Sequence, residues 1–219
     1  MGEIRTNDLQ EVKSPAVEGF HEIKPQEGMT ANESKSYLDN EFESIGKKQL
    51  EFENNPGKEY LDDNGIVYRK GDDLAPNSEF NVNGYKYETD ELGRTISAEG
   101  TLKIRDPEYD RKMDSTETVF KGQKIEGYER GHLIGYQFGG SGGIENLSVM
   151  SGEVNHGDFY KMETKLANAV KDGADVKMRV EPVYEGSSNK PSEYKVTYSI
   201  NGEKEVVVFN NRSEAKNDK

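Results

Sequence analysis

The stretch that decides the fold is GYERGHLIGYQFGGSGGIENLSVMSGEVNHGDFYKME, residues 127–163. It holds two of the chain's three histidines, His132 and His156. Residues 130–135 read as a short strand, the GGSGG at 139–143 as a flexible connection, and 146–150 as a second strand. Beyond it, Phe159, Met162, Leu166 and Val170 recur at helical spacing until Gly173 stops them. The stretch is thus a hairpin that feeds a helix. On the first strand Arg130 and His132 project from one face, and Glu129 and Gly131 from the other. Asn155 falls just ahead of the helix, where asparagine is a favoured N-cap. Glu163 follows eight residues later, about two turns plus a fifth, so both side chains can border one cleft.

Downstream, residues 174–210 alternate as antiparallel strands, with Asn201-Gly202 as a hairpin turn. Upstream, 78–105 reads as a three-stranded meander turning at Asn83-Gly84 and again in DELGR, residues 90–94. IVYRKG, residues 66–71, adds a strand, and a short helical piece is expected near 117–121. Within 31–55, Tyr37, Phe42, Ile45, Leu50 and Phe52 are spaced roughly as one helical face, with Asn32 as its cap. These elements predict an α+β fold with a central antiparallel sheet. The expected division is an acidic arm and helix over 1–65, the main domain over 66–211 and a frayed tail over 212–219, with 1–29 extended.

Hydrophobic and charged residues each make up 32% of the 219 residues, and the net charge is −13. Residues 1–65 hold 15 acidic and 7 basic side chains, against 27 and 22 in the remainder. Such a field opposes phosphate binding and excludes a generic nucleic-acid coat, while leaving a local basic cleft open. The absence of cysteine excludes disulfides, thiolate zinc sites and a cysteine nucleophile, so any metal must be held by His, Asn, Asp or Glu. No apolar run suits a signal peptide or membrane span; neither a cleaved leader nor a membrane anchor is expected, and export by another route stays open.

Taken singly, these residues have plain structural readings: a strand histidine held by hydrogen bonds, a capping asparagine, a solvated helix glutamate. Together they suit phosphodiester hydrolysis. A base beside a cation fits a reaction that develops negative charge. Mg²⁺ keeps several waters and binds through few protein oxygens, so a neutral amide can serve while the phosphodiester supplies the charge. His156 points elsewhere on the helix and carries no catalytic expectation.

Arg130, Gly131 and His132, then Asn146 and Leu147, then Asn155, Gly157 and Glu163 follow the order strand, loop, strand, helix. This pattern resembles the DNA/RNA non-specific endonucleases of the ββα-metal, or His-Me finger, class, whose signature is D-R-G-H, then N-L, then N-x-G-x-x-x-x-x-E. The resemblance covers roughly residues 85–207. One departure is plain: Glu129 stands where Asp is usual, on the strand face turned away from the reaction. The resemblance implies a ββα-metal motif and a Mg²⁺-dependent endonuclease acting on DNA, with RNA as a second substrate and Mn²⁺ as an alternative ion. It makes His132 the general base, Asn155 the direct protein ligand of the metal and Glu163 the residue that orients metal-bound water. Arg130 is then a candidate for holding phosphate or steadying the site, and Asn146 for supporting the hairpin or the substrate. Lys121, Lys124 and Lys165 are further candidates for phosphate contacts.

An acidic helical extension ahead of such a core also resembles the nuclease toxins exported by the type VII route of Gram-positive bacteria. That implies secretion without a cleaved signal peptide, action in the cytoplasm of target cells and a dedicated immunity protein. The rival readings are a DNA-uptake or nutritional nuclease, a non-catalytic β-rich binding module, and a zinc hydrolase built on His132, His156 and an acid. Against the last stands the lack of a spacing such as H-x-x-x-H.

Overall fold

The computed structural model describes residues 28–108, 112–123 and 125–213. Expectations for the arm before residue 28, for Lys124 and for residues 214–219 fall outside it. Helix α1 (Ala31–Glu53) starts at Thr30, whose side chain accepts from the Glu33 amide while Glu33 reaches back to the Thr30 backbone. This capping box displaces the expected cap at Asn32, because only Thr30 has a glutamate three residues on. The expected apolar face does not form either. Phe52 is buried, but Phe42 and Leu50 are 62% and 59% exposed. Phe42 and Phe52 are ten residues apart, which leaves them about 80° apart around the axis rather than on one stripe.

A small antiparallel sheet follows, made of β1 (Glu59–Leu61), β2 (Val67–Lys70) and β3 (Asp73–Leu74). The division expected at residue 65 falls in the turn between β1 and β2, whose pairing spans it. Asp63 adds a tie to the main body: its carboxylate accepts from the backbone N–H groups of Asn83 (3.0 Å) and Gly84 (2.7 Å). Those two residues form the turn between β4 (Glu79–Val82) and β5 (Tyr85–Thr89), both at positive φ as a type I′ hairpin requires. β6 (Thr95–Thr101) completes the meander, and the short helix α2 (Thr116–Val119) occupies the place expected near 117–121.

β7 (Tyr128–His132) and β8 (Leu147–Ser151) form a separate two-stranded ribbon, with Glu129 opposite Met150 and His132 opposite Leu147. The connection between them is closed rather than flexible. A Cβ on Gly140 would lie 1.9 Å from the Ile134 carbonyl oxygen, so the chain can pass there only as glycine. Asn146, buried in the middle, accepts from the Ile134 N–H (2.8 Å) and donates to the carbonyls of Ile134 (2.9 Å) and Ser141 (2.8 Å). These bonds outweigh the freedom that the glycines' composition suggests.

Beyond β8 the expected helix forms as α4 (Asp158–Lys171), but a short helix the sequence did not announce, α3 (Gly152–His156), precedes it, with Gly157 at the joint. Ser151 caps α3 by accepting from the Val154 N–H, so Asn155 sits in the last turn of α3 and is not an N-cap. A Cβ at Gly157 would come within 2.2 Å of the Glu153 carbonyl oxygen, which ties this sharp joint to glycine.

β9 (Val176–Tyr184), β10 (Pro191–Ile200) and β11 (Glu203–Asn210) join the meander in one six-stranded antiparallel sheet, ordered β11-β10-β9-β6-β5-β4. Its inner face sets Tyr87, Ala98, Val180 and Val196 side by side across four strands. Phe159, Met162 and Leu166 of α4, with Met150 of β8 and Leu133 and Ile134 just beyond β7, belong to the same core. Each such large side chain contributes about 1.5–3 kcal/mol on burial, so this packing fixes the ribbon and α4 against the sheet. The outer face carries charge instead, with Arg179 paired to Glu99 (3.0 Å) and Lys195 to Glu181 (3.5 Å).

Candidate active site

Strand β7 supplies Glu129, Arg130 and His132 in sequence. Contrary to the alternation argument, Glu129 is not turned away from the candidate residues. Its Oε1 accepts from Asn155 Nδ2 at 2.9 Å and lies 2.6 Å from His156 Nε2. A carboxylate can only accept, so the amide nitrogen of Asn155 must face Glu129 and its oxygen must face away. The strand argument gave the direction in which Glu129 leaves β7 but not what covers that side, and α3 covers it. His156 is 73% exposed at its side chain and serves as a second partner of Glu129.

Arg130 is half-buried, and its Nη1 donates to the backbone carbonyl of Asp114. Asp114 is a second residue that the sequence did not reveal. Its carboxylate pairs with the buried Arg69 and accepts from the Ile144 N–H at 2.9 Å, tying the segment after residue 112 to the hairpin connection. Nothing in its charged, turn-like surroundings distinguishes it from the other acids there. His132 is partly exposed with its Nε2 shielded from solvent. Glu163, half-buried on α4, lays its carboxyl over the backbone of Gly135, where an added Cβ would meet Oε1 at 2.4 Å. Gly135 is three residues beyond His132, so the helix carboxyl packs on the connection that follows the histidine's strand.

One expected substrate contact is corrected, and a second expected contact is engaged within the fold. Asn146 is wholly buried, and its amide is spent on backbone groups, so it supports the hairpin and does not meet substrate. Lys165 donates to Tyr198 (2.8 Å) and Glu205 (2.9 Å) and is held by the large sheet. Lys121 is likewise engaged, by the Asp72 carbonyl at 2.9 Å.

Among the described residues no group of three or more His, Asp or Glu side chains is placed to hold a metal ion. The oxygens the candidate residues offer are the neutral amide oxygen of Asn155, turned away from Glu129, and the Glu163 carboxylate packed over Gly135. Hard oxygens in this number fit a cation such as Mg²⁺ that keeps most of its waters. A hollow of about 540 Å³ lies elsewhere, on the outer sheet face between Lys86, Glu99, Arg179 and Thr197, and it joins none of these groups.

Strand, closed connection, strand and broken helix carry one histidine, one amide and one carboxylate on adjoining backbone, an arrangement of the ββα-finger class of phosphodiester hydrolases. The chain belongs to the DNA/RNA non-specific endonuclease family, whose model matches residues 76–202, and it carries an endonuclease domain. The type VII secretion system protein EssD of Staphylococcus aureus strain USA300 is 33% identical over 141 residues, covering 61% of this chain and 23% of that protein. EssD of strain Newman matches at the same identity over 61% of this chain and 22% of its own length. The chain thus spans under a quarter of those relatives. Among solved structures, magnesium-bound NucA from Streptococcus agalactiae is 16% identical over 79% of this chain and 89% of its own, with a TM-score of 0.49. Zinc-bound Sda1 nuclease is 20% identical over 59% of this chain and 76% of its own, with a TM-score of 0.47. No helix among the described residues is long and apolar enough to cross a membrane.

Proposed function

We propose that this chain is the nuclease part of an antibacterial toxin exported by a type VII system, and that it hydrolyses DNA phosphodiesters with Mg²⁺. The observation that carries the chemistry is the bond from Asn155 Nδ2 to Glu129, because it holds the amide nitrogen and leaves the oxygen for a ligand role. Asn155 would hold the ion, with Glu163 accepting from its waters. Bound there, the ion supplies Lewis acidity to the phosphate and its leaving oxygen.

His132 takes the proton from the attacking water, a role suited to an imidazole whose unperturbed pKa is about 6.5. Arg130, with one nitrogen anchored on the Asp114 carbonyl, keeps its charge for the phosphate oxygens as negative charge develops. The likeness to EssD, a type VII secretion system protein, supports the export route. A toxin delivered to rival cells requires the producer to make an immunity protein, and action would follow in the target cytoplasm.

The decisive experiment is cleavage of supercoiled plasmid by wild type and His132→Ala, with Mg²⁺, Mn²⁺ or EDTA. The wild type should nick with a divalent ion and stop in EDTA, and His132→Ala should lose on the order of 10²-fold or more. Undiminished cleavage by both His132→Ala and Asn155→Ala would overturn the assignment. Growth of a host expressing the chain, with and without the neighbouring genes, tests the toxin context: protection by one of those genes is expected, and harmless expression alone would count against it.

A further inference from the structure

An acidic protein that grips a polyanion must leave some cations uncancelled where the strand lies. Arg69 is tied to Asp114, Arg94 to Asp90, and Arg179 to Glu88, Glu99 and Glu181. Among the described residues no carboxylate pairs with Arg105, nor with Arg130 of the site. Arg105 lies just past β6, and its backbone N–H donates to the Gln137 carbonyl at 2.9 Å. It therefore runs beside the turn at Tyr136–Phe138, which begins directly after Gly135, the residue covered by the Glu163 carboxyl.

The guanidinium of Arg105 lies over the Tyr136 ring. Its Cζ is 4.3 Å from the centroid of the Tyr136 ring, and its Nη1 donates to the carbonyls of Asp106 (3.0 Å) and Pro107 (3.3 Å). The turn beneath it is fixed in its own right, because the Tyr85 hydroxyl donates to the Phe138 carbonyl at 2.6 Å. A planar fork that is stacked and pinned on one nitrogen loses little further freedom when Nε and Nη2 take a phosphate.

We propose that Arg105, held on Tyr136, is a phosphate-binding residue of this nuclease that grips the substrate strand at a phosphate flanking the scissile one. The proposal rests on the nuclease reading above. The test measures anisotropy of a short fluorescent DNA duplex in EDTA over a range of KCl concentrations, on a non-cleaving His132→Ala reference. Arg105→Gln and Arg105→Lys are added to that reference, and their thermal midpoints are recorded.

Arg105→Gln should weaken binding about tenfold and reduce the steepness of log affinity against log salt by about 0.9, the loss of one phosphate contact. Arg105→Lys should keep the slope while losing part of the affinity, with both midpoints close to that of the reference. In the cleaving enzyme, Arg105→Gln should raise KM and leave kcat within about twofold. A slope and affinity equal to the reference in Arg105→Gln would overturn the proposal, as would an equal loss of slope in Arg105→Lys. A parallel plasmid assay separates the two readings. Wild type that cleaves while Arg105→Gln binds normally defeats this inference alone, and wild type that binds but never cleaves defeats the nuclease reading.

Discussion

Glu129 carries the main lesson at the scale of single residues. The family pattern has the shorter Asp at its position, and the strand pattern turns it away from His132. Yet its carboxylate is the anchor of the Asn155 amide. Removing that anchor in Glu129→Ala should let the amide rotate and lower kcat/KM by about 10–100-fold, as loss of a group that orients a ligand does. Glu129→Gln retains an oxygen for Asn155 Nδ2 and should keep most of the activity. Asn155→Asp should fail even though a carboxylate is the stronger ligand, because it loses the donor and sets two like charges against each other. Plasmid cleavage with a Mg²⁺ titration of each variant checks all three, and full activity of Glu129→Ala would remove Glu129 from the site. The types and spacing of His132, Asn155 and Glu163 were legible in the sequence. The Glu129 and Asp114 contacts were not, because they join segments whose approach depends on how α3 and the segment after residue 112 fold back.

At the scale of elements, the connection from 133 to 146 shows why composition misleads. Five residues reading GGSGG suggest slack, but here they allow buried backbone and the buried Glu145 to fit. Asn146→Ala would leave the Ile134 N–H and two carbonyls without their partner and should cost about 1–3 kcal/mol, measurable by urea unfolding. Glu145 makes a pH prediction. Burial pushes its carboxyl above the ordinary value, opposed by the Ser141 hydroxyl and the Arg69 charge. The native state therefore holds this proton more tightly than the unfolded chain, so stability is full below about pH 4.5 and is lost as pH rises through the native pKa. Glu145→Gln, which stays neutral, should remove that decline. Its thermal midpoint should gain on the wild type between pH 5 and pH 8 on the order of a few degrees, and an equal decline in both would refute the explanation. Other element signals were readable in advance. The Asn83-Gly84 turn and the α4 stripe formed as spaced, and the α1 cap was also present in the sequence, in Thr30 and Glu33 rather than in Asn32.

Over the whole molecule, the acidic excess is concentrated in the first 65 residues, ahead of the segment that matches the family. The family match begins at residue 76, and α1 offers the body little beyond Phe52, which lies under the Lys70 ammonium. Removing residues 1–50 keeps Phe52 and takes away 10 acidic and 6 basic side chains. Among the described residues, none of the core cluster is lost from the sheet, ribbon or α4, so the thermal midpoint should stay within about 3 °C. Binding to DNA should tighten in the truncated chain at low salt, since the field that repels phosphate is weakened. The gain should shrink toward nothing as the Debye length falls to about 8 Å at physiological ionic strength and below it in stronger salt. Affinity measured on the His132→Ala background over a salt series checks this. A gain that persisted at high salt would show that α1 blocks the site by contact, and a loss of affinity would show that residues 1–50 hold substrate directly.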